Sequence, residues 1–405
     1  MKRKMIRSGF QLAAVVLLLT ICVTSQAQLK VVGYIYTTTN PNAVDFTKIT
    51  HLNIAFENPD AAGNLSYNSG NTALITKAKT NDVKILVSIC GGGESNNATM
   101  RNRYFSLISD AKSAAFIAKI VTYLSDHNFD GIDIDLEGPA INSDYGKFIT
   151  DLRAALPEGA LLTAALSHVN GGDLIPTAAV QLFDFINIMA YDATGPWNPT
   201  SPGPHSTYEF AVSSLDWWVD NKELAKGKAI LGVPFYGYGF GADANEGISY
   251  ADILTRFGAG AENRDESGNK IYYNGLPTIR KKAQYVVDQE YGGIMIWQLA
   301  QDKVSSDSKS LLRAIDKIIK NTVTGITTDQ EANLIKLFPN PVESQLNINA
   351  PAFKGGQLSI VDTLGKEFLT GKHREFIDAS ALPAGLYILR LTKDQKSASK
   401  KFIKK

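Results

Sequence analysis

Between residues 29 and 320 the chain alternates two hydrophobic patterns. Compact apolar runs rich in β-branched residues fall at 31–36, 49–57, 84–89, 131–137, 161–167, 185–191, 229–236 and 293–299, and read as strands. Amphipathic stretches lie between them. In 113–128, Phe116, Ile117, Ile120, Val121 and Leu124 recur at the spacing that places them on one helix face. The stretches 145–156, 210–221, 278–291 and 311–320 behave alike. Eight strands, most of them followed by a helix, predict an α/β fold of the (β/α)8 TIM-barrel type. A doubly wound open sheet is the competing arrangement. No Gly-x-Gly-x-x-Gly follows the first strand, which counts against a dinucleotide-binding version of it.

Three segments depart from a minimal barrel. Residues 237–276 form an insertion after the seventh strand, with a short helix expected at 250–257 and a Gly- and charge-rich stretch at 258–270. Connections of this length are usually functional. Residues 321–333 are polar and Thr-rich, as in a linker. Residues 334–405 then switch to short alternating segments at 345–348, 357–361, 375–377, 386–391 and 399–403, the pattern of a small C-terminal all-β domain. At the other end, Lys2, Arg3, Lys4 and Arg7 precede an apolar run at 12–23. Ser25-Gln26-Ala27 then offers small residues where a signal peptidase reads. The run is shorter than the ~20 residues a membrane span takes. A cleaved export signal over 1–27 is expected, followed by a barrel domain over 28–320. An uncleaved anchor competes with it. A lipoprotein signal needs a small residue before Cys22, and Ile21 stands there.

Composition narrows the function classes. Hydrophobic residues make up 44% of 405 positions and charged residues 20%, ordinary for a folded chain. The formal net charge of +1 gives no bulk attraction to nucleic acid, so no nucleic-acid partner is expected. The 2 cysteines, Cys22 and Cys90, exclude a disulfide scaffold and a multi-cysteine zinc site. The 5 histidines are scattered. Neither a metal nor a cofactor is expected.

The candidate chemistry concentrates in one strand. In Asp130-Gly131-Ile132-Asp133-Ile134-Asp135-Leu136-Glu137-Gly138-Pro139, the apolar residues Ile132, Ile134 and Leu136 share one face. Asp133, Asp135 and Glu137 share the other. Acidic residues are depleted in strands because burying charge is costly. If the apolar face meets the helices, the carboxylates point into the barrel, with Glu137 at the C-terminal end where barrel active sites sit. Same-face neighbours lie ~6.6–7 Å apart. Two charges there repel by ~2.4 kcal/mol at an effective dielectric of ~20. That repulsion is expected to raise one carboxyl pKa, so that the last carboxyl holds a proton near neutral pH as a general acid. A surface strand with one wet side and an oxygen-ligand site for Mg²⁺ or Ca²⁺ are the competing readings. A closed barrel leaves a central strand no wet side, and evenly stacked carboxylates chelate poorly.

This segment resembles the Asp-x-x-Asp-x-Asp-x-Glu signature of the family 18 glycoside hydrolases, the chitinase family. Other segments agree in order. Asn53-Ile54-Ala55-Phe56 and Ser88-Ile89-Cys90-Gly91-Gly92 resemble the family's second and third strand motifs. Asn187-Ile188-Met189-Ala190-Tyr191-Asp192 is similar to its sixth and Gly232-Val233-Pro234-Phe235-Tyr236-Gly237 to its seventh. Gly292-Gly293-Ile294-Met295-Ile296-Trp297 is similar to its eighth. Cys90 departs from the pattern, since the family usually has glycine there.

The resemblance implies a retaining hydrolase of β-1,4-linked N-acetylglucosamine polymers. Glu137 would protonate the glycosidic oxygen, and the substrate's own 2-acetamido oxygen would be the nucleophile, an exception to the two-carboxylate scheme. Asp135 would orient the acetamido nitrogen, Asp133 would share a proton or hydrogen bond with Asp135, and Tyr191 would donate to the acetamido oxygen. Asp192, Trp297, Met189, Tyr236 and Phe56 would contact substrate, with Trp297 stacking under the sugar. An endo-β-N-acetylglucosaminidase acting on the N-glycan core and a non-catalytic sugar-binding protein are the competing readings. Trp217 and Trp218, in a helical run, read as core. Trp197, in a Gly/Pro-rich loop, reads equally as sugar platform or packing. His168 stands at the end of the fifth strand with a structural role at least as well supported. Cys90 reads as a small buried apolar residue.

In the tail, Leu337-Phe338-Pro339-Asn340-Pro341, Leu346-Asn347-Ile348 and Leu382-Pro383-Ala384-Gly385-Leu386-Tyr387 precede a Lys-rich end. The set is similar to type A sorting domains of the type IX secretion system. That resemblance implies the type IX machinery as a partner and a secreted location. A carbohydrate-binding β-sandwich is the competing reading of the tail. A monomer is expected.

Overall fold

A computed structural model describes residues 29–324 apart from 38, 245 and 246, and residues 335–405 apart from 363–366, 394 and 395. The expected export signal at 1–27 and residues 325–333 of the expected linker lie outside the described residues.

Seven strands come first in chain order: β1 (Lys30–Tyr36), β2 (His51–Ala55), β3 (Lys84–Cys90), β4 (Gly131–Asp135), β5 (Leu161–Leu166), β6 (Phe185–Ile188) and β7 (Ala229–Pro234). The insertion contributes β8 (Tyr236–Gly239), β9 (Ile248–Ser249), β10 (Glu266–Ser267) and β11 (Ile271–Tyr272), before β12 (Gly293–Trp297). Strands β1 to β7 and β12 pair in parallel into one closed barrel, so the fold is the (β/α)8 barrel the pattern predicts.

Two layers of packing hold the barrel. Outward-facing residues such as Ile54, Val87, Ile132, Ile134 and Leu231 are fully buried. They share one core with Phe116 and Ile120 of the helix Ser113–Asp126 and Phe148 of Tyr145–Ala155. Each such side chain contributes about 1.5–3 kcal/mol by leaving water. Inside the barrel a second cluster joins Val32, Tyr34, Ala165, Phe185, Ile230 and Met295. Among these lie fully buried polar residues, one from each of five consecutive strands: Asn53, Ser88, Asp133, Thr163 and Asn187. A fully apolar interior would be cheaper to build.

The structure adds elements that periodicity did not signal. Helices at Asn71–Thr80, Ala98–Ile108 and Thr177–Leu182 bury only two to four residues each. Their apolar stripes are therefore thin. The insertion contains the expected helix Tyr250–Phe257, but it also folds into a four-stranded antiparallel sheet in the order β10, β11, β8, β9. Strands of two to four residues are too short to show an alternation. The last barrel helix runs Leu311–Thr324, so the first four positions of the expected linker are helical.

The C-terminal segment is all β. Its strands are β13 (Lys336–Phe338), β14 (Gln345–Asn349), β15 (Gln357–Asp362), β16 (Glu367–Lys372), β17 (Phe376–Asp378), β18 (Gly385–Lys393) and β19 (Lys396–Lys404). They form two antiparallel sheets, in the orders β13, β14, β17 and β16, β15, β18, β19. Leu346, Ile348, Leu358, Ile360, Leu389 and Phe402 belong to a core of the segment's own.

Candidate active site

β4 ends at Asp135, two residues short of the expected strand, so Glu137 stands just past its end, and the three carboxylates of this run divide by depth. Asp133 is fully buried in the polar layer. Four side chains donate to it: Tyr34 Oη at 2.7 Å, Ser88 Oγ at 2.7 Å, Thr163 Oγ1 at 2.6 Å and Asn187 Nδ2 at 3.3 Å. Burial pushes its pKa up and these four hydrogen bonds oppose the rise. The expected Asp133–Asp135 hydrogen bond is not among the bonds Asp133 makes, because the other strands already saturate its two oxygens.

Asp135 and Glu137 reach the mouth of the barrel and are hydrogen-bond partners of each other. Burial comes first in holding the Asp135 carboxyl well above the usual range, followed by the neighbouring Glu137 and Asp133 charges. Asp135 Oδ1 is buried and has no partner. Burial also raises Glu137, to about 7, with the Asp192 charge adding to it and the hydrogen bonds from Asp135 and Asn170 opposing it. This corrects the cause expected from sequence. Burial leads both rises, and the expected repulsion along the run adds to it at Asp135, through the Glu137 and Asp133 charges. The charge that adds to the rise of Glu137 is that of Asp192, in the connection after β6.

The surroundings of Glu137 are close-fitting. Its backbone N–H donates to Ser95 Oγ at 3.0 Å, from the one-turn helix Gly92–Asn96. A Cβ on Gly92 would stand 2.8 Å from Glu137 Oε1, so only glycine leaves the carboxyl its room. On the other side Asn170 Nδ2 donates to Glu137 Oε2 at 3.3 Å. Cys90, where glycine is usual in the family pattern, has φ +77°. That left-handed backbone costs a non-glycine residue about 1–2 kcal/mol. Asn58 holds it there, accepting from Cys90 N at 2.8 Å and donating to Cys90 O at 3.3 Å. The thiol is fully buried and its pKa is pushed up to about 12 by that burial. This matches the small buried residue expected.

The end of β6 supplies the opposite wall. Met189, Tyr191 and Asp192 line the cleft. Tyr191 is held well above its ordinary pKa by burial and by the Asp135 and Asp192 charges, so it keeps its proton. Its hydroxyl faces Met295 Sδ at 3.9 Å, a weak acceptor. Asp192 Oδ1 accepts from Tyr236 Oη at 2.5 Å and lies 3.3 Å from His205 Nδ1. Tyr236, expected on the substrate, is therefore behind Asp192 and off the cleft wall. Tyr238, two residues on, lines the cleft instead. Beneath this wall a buried cluster fixes the backbone. Ser206 Oγ donates to Ala190 O at 2.6 Å, and Lys282 Nζ donates to Ser206 O, Ser206 Oγ and Asn274 Oδ1 at 2.7–2.8 Å.

Trp297 ends β12 and lies across the floor. Phe56 stacks against it, with centroids 5.7 Å apart and planes 23° apart, and Tyr34 and Tyr36 pack at 5.4 and 5.8 Å. The cleft above it encloses about 1070 Å³. Its rim carries apolar groups open to solvent: Tyr36 at 45%, Val169 at 60% and Trp197 at 60% exposure. Of the two readings open for Trp197, the structure puts it on the cleft, edge-on to Tyr238 at 5.1 Å. Trp218 is fully buried and Trp217 packs against the core. His168 turns away to Phe210 and Trp217.

The structure thus gathers Glu137, Asp135, Tyr191, Asp192, Met189, Phe56 and Trp297 around one cleft, with Asp133 below and Tyr236 behind. Sequence reasoning did not name Tyr36, Asn96, Asn170 or Tyr238. Their only signal was position, at the ends of strands or in the loops that follow them, which many residues share.

Residues 30–302 match the family model described as glycosyl hydrolases family 18, and residues 336–405 match that of a secretion system C-terminal sorting domain. Among solved structures, the fold is similar to a family 18 chitinase, ChiB from the chitin utilization locus of Flavobacterium johnsoniae. That match has 39% identity, TM-score 0.68, and covers 73% of this chain and 94% of the other. A chitinase from Bacteroides thetaiotaomicron matches at 27% identity and TM-score 0.64, over 72% and 97%. A "chitinase-like effector" of Moniliophthora roreri is 30% identical over 229 residues, 49% of this chain and 54% of that protein. The chain spans between 13% and 64% of the length of the first curated relatives it matches.

Proposed function

The chain belongs to the glycosyl hydrolases of family 18, and from that premise we propose that it is a secreted chitinase retaining configuration by substrate-assisted catalysis. The observation that carries this reading is the unpartnered, buried Asp135 Oδ1 beside a proton-holding Glu137. A buried acceptor without a donor is costly. The N–H of a 2-acetamido group entering the cleft would supply the missing donor, and no second carboxylate is then needed as nucleophile.

Each residue takes a role in this scheme. A sugar stacked on Trp297 places its glycosidic oxygen at Glu137. Glu137 gives that oxygen its proton as the bond to the anomeric carbon breaks. The acetamido carbonyl oxygen bonds to the anomeric carbon, forming an oxazolinium, with Asp135 accepting from its N–H and Tyr191 donating to its oxygen. Asp192 contacts the sugar, and Tyr236 holds Asp192 in place. Water then attacks the anomeric carbon from the opposite face, losing its proton to the Glu137 carboxylate. Two inversions give net retention. The position of Glu137 near the middle of its own protonation range at neutral pH suits it to both steps.

The tail's match to a sorting domain supports export, and we assign that route to the type IX system. The domain limits follow the same reading, with catalysis in 28–320 and sorting in 334–405.

Mass spectrometry of the products from chitohexaose, run beside an N-glycosylated protein, tests the activity. Short chitin oligomers with the glycoprotein untouched are expected. Released N-glycan with intact chitohexaose would move the substrate to the glycan core. Binding without cleavage of either would make the chain a sugar-binding protein.

A further inference from the structure

The loop after β5 carries a residue that the scheme above does not use. Asn170 lies half-buried on the cleft wall and meets the segment of Glu137 and Gly138 three times. Its side-chain Nδ2 donates to Glu137 Oε2 at 3.3 Å. Its backbone carbonyl accepts from Gly138 N at 3.1 Å. Its Oδ1 occupies the space a side chain on Gly138 would need, since a Cβ there would come within 2.2 Å of it, and Gly138 has φ +45°. The loop is itself a tight turn. Asn170 N and Gly172 N both donate to Ser167 O, and Gly171, at φ +86°, packs its backbone onto Gly138. The mount is rigid and the side chain points at the acid.

We propose that Asn170 is a positioning residue for Glu137: its amide fixes Oε2 as the accepting oxygen, leaves the proton to Oε1, and steadies the carboxylate that remains once the proton is given up. The proposal rests on the chitinase reading above. Its physical basis is that an N–H donor binds a carboxylate more strongly than a carboxylic acid. The bond therefore strengthens as Glu137 ionises, and only interactions that strengthen along the reaction accelerate it. The other groups facing Glu137 are acidic: Asp135 on its own segment, Asp192 and Tyr191 at the end of β6, and Cys90 at the end of β3. Asn170 places a donor among them.

The test compares the full chain with its Asn170→Ala and Asn170→Asp variants on chitohexaose across acid to alkaline pH. For Asn170→Ala, kcat should fall about tenfold with KM held within about twofold, and the alkaline limb of the rate profile should move up by about one pH unit. Asn170→Asp keeps the shape of the residue and stands in if the alanine variant does not fold. Its carboxylate repels Glu137, so the alkaline limb should move up further. Activity should recover toward acid pH, where the new carboxyl is protonated and donates again. An alkaline limb unmoved in both variants, with kcat and KM changing together, would reduce Asn170 to a turn residue and overturn the proposal. A parent chain that leaves chitohexaose intact would overturn the chitinase reading, and this inference with it.

Discussion

The two faces of the run 131–137, made of β4 and the two residues that continue it, respond to burial in opposite ways. On the outer face Ile132, Ile134 and Leu136 are fully buried, and each gains from leaving water. On the inner face Asp133, Asp135 and Glu137 lose by it, and all three carboxyl pKa values are raised. One extended run thus carries stabilising and destabilising residues at alternating positions, each next to the other. The difference teaches where a barrel enzyme keeps its reactivity. The outer face and the helices over it hold the backbone rigid, so the inner face can hold carboxyls whose pKa values burial raises.

The strongest way to break this comparison is at the inner face's last residue. Glu137→Gln keeps the shape and removes the proton. Turnover of chitohexaose should fall by about 10²–10⁴-fold, the usual worth of a general acid, while the thermal midpoint stays at or above that of the parent. Steady-state kinetics and calorimetry on one preparation check both parts. Near-parent turnover would mean that the inner face does not carry the chemistry. The mirror experiment on the outer face should do the reverse. Ile134→Ala should cost about 2–5 kcal/mol in stability by opening a cavity. The fraction that stays folded should keep KM near the parent value. A denaturant titration measures the first and kinetics well below the midpoint the second.

How far this contrast could be seen in advance depends on spacing. Alternation of Ile and Asp along 131–137 is visible in the letters alone, because a strand has period two and a closed barrel has two environments. Five of the tail's strands were visible for the same reason, through pairs such as Leu346 and Ile348, whereas β13 and β16 were not. Contacts between strands were not. Nothing in Ser88, Thr163 or Tyr34 announces that they converge on Asp133, since they lie 30 to 99 residues away from it. Tyr236 was placed on the substrate because its neighbours follow a family pattern, and only the 2.5 Å bond to Asp192 shows it one layer back. Asn170 had no signal beyond its place after a strand.

A pH series sharpens the comparison with an effect of intermediate size. Glu137 in the folded chain takes up its proton at about 7, against an ordinary value of 4.5. Between those values the folded state binds more protons than the unfolded one. Stability therefore falls as pH rises through that window, and the loss is complete above it. Asp135 and Asp133, also raised, act in the same direction. These carboxyls should cost the parent on the order of 1–3 kcal/mol across the window, against an opposite contribution from His51, whose pKa burial lowers to about 4. Glu137→Gln should lose less and Ile134→Ala as much as the parent, because the outer face does not titrate. Thermal unfolding on either side of the window gives all three values. A Glu137→Gln slope equal to the parent's would assign the pH dependence to groups other than Glu137.

The smallest expected effect lies at the rim, where the contrast between faces runs out. Trp197 is 60% exposed, meets Tyr238 edge-on and lays its ring over Gly195. It gains little from burial in the free chain and carries no titratable group, so it shares the behaviour of neither face. Its apolar surface is available to a sugar ring that covers it. Trp197→Ala should therefore leave the thermal midpoint and kcat near the parent values. KM for chitohexaose should rise roughly two- to tenfold, as expected for an aromatic contact of about 0.5–1.5 kcal/mol. The same substitution should have less effect on a shorter oligomer if the chain it stacks on extends beyond the Trp297 floor. A fall in kcat with KM unchanged would place Trp197 with the reacting groups and extend the inner face's chemistry to the rim.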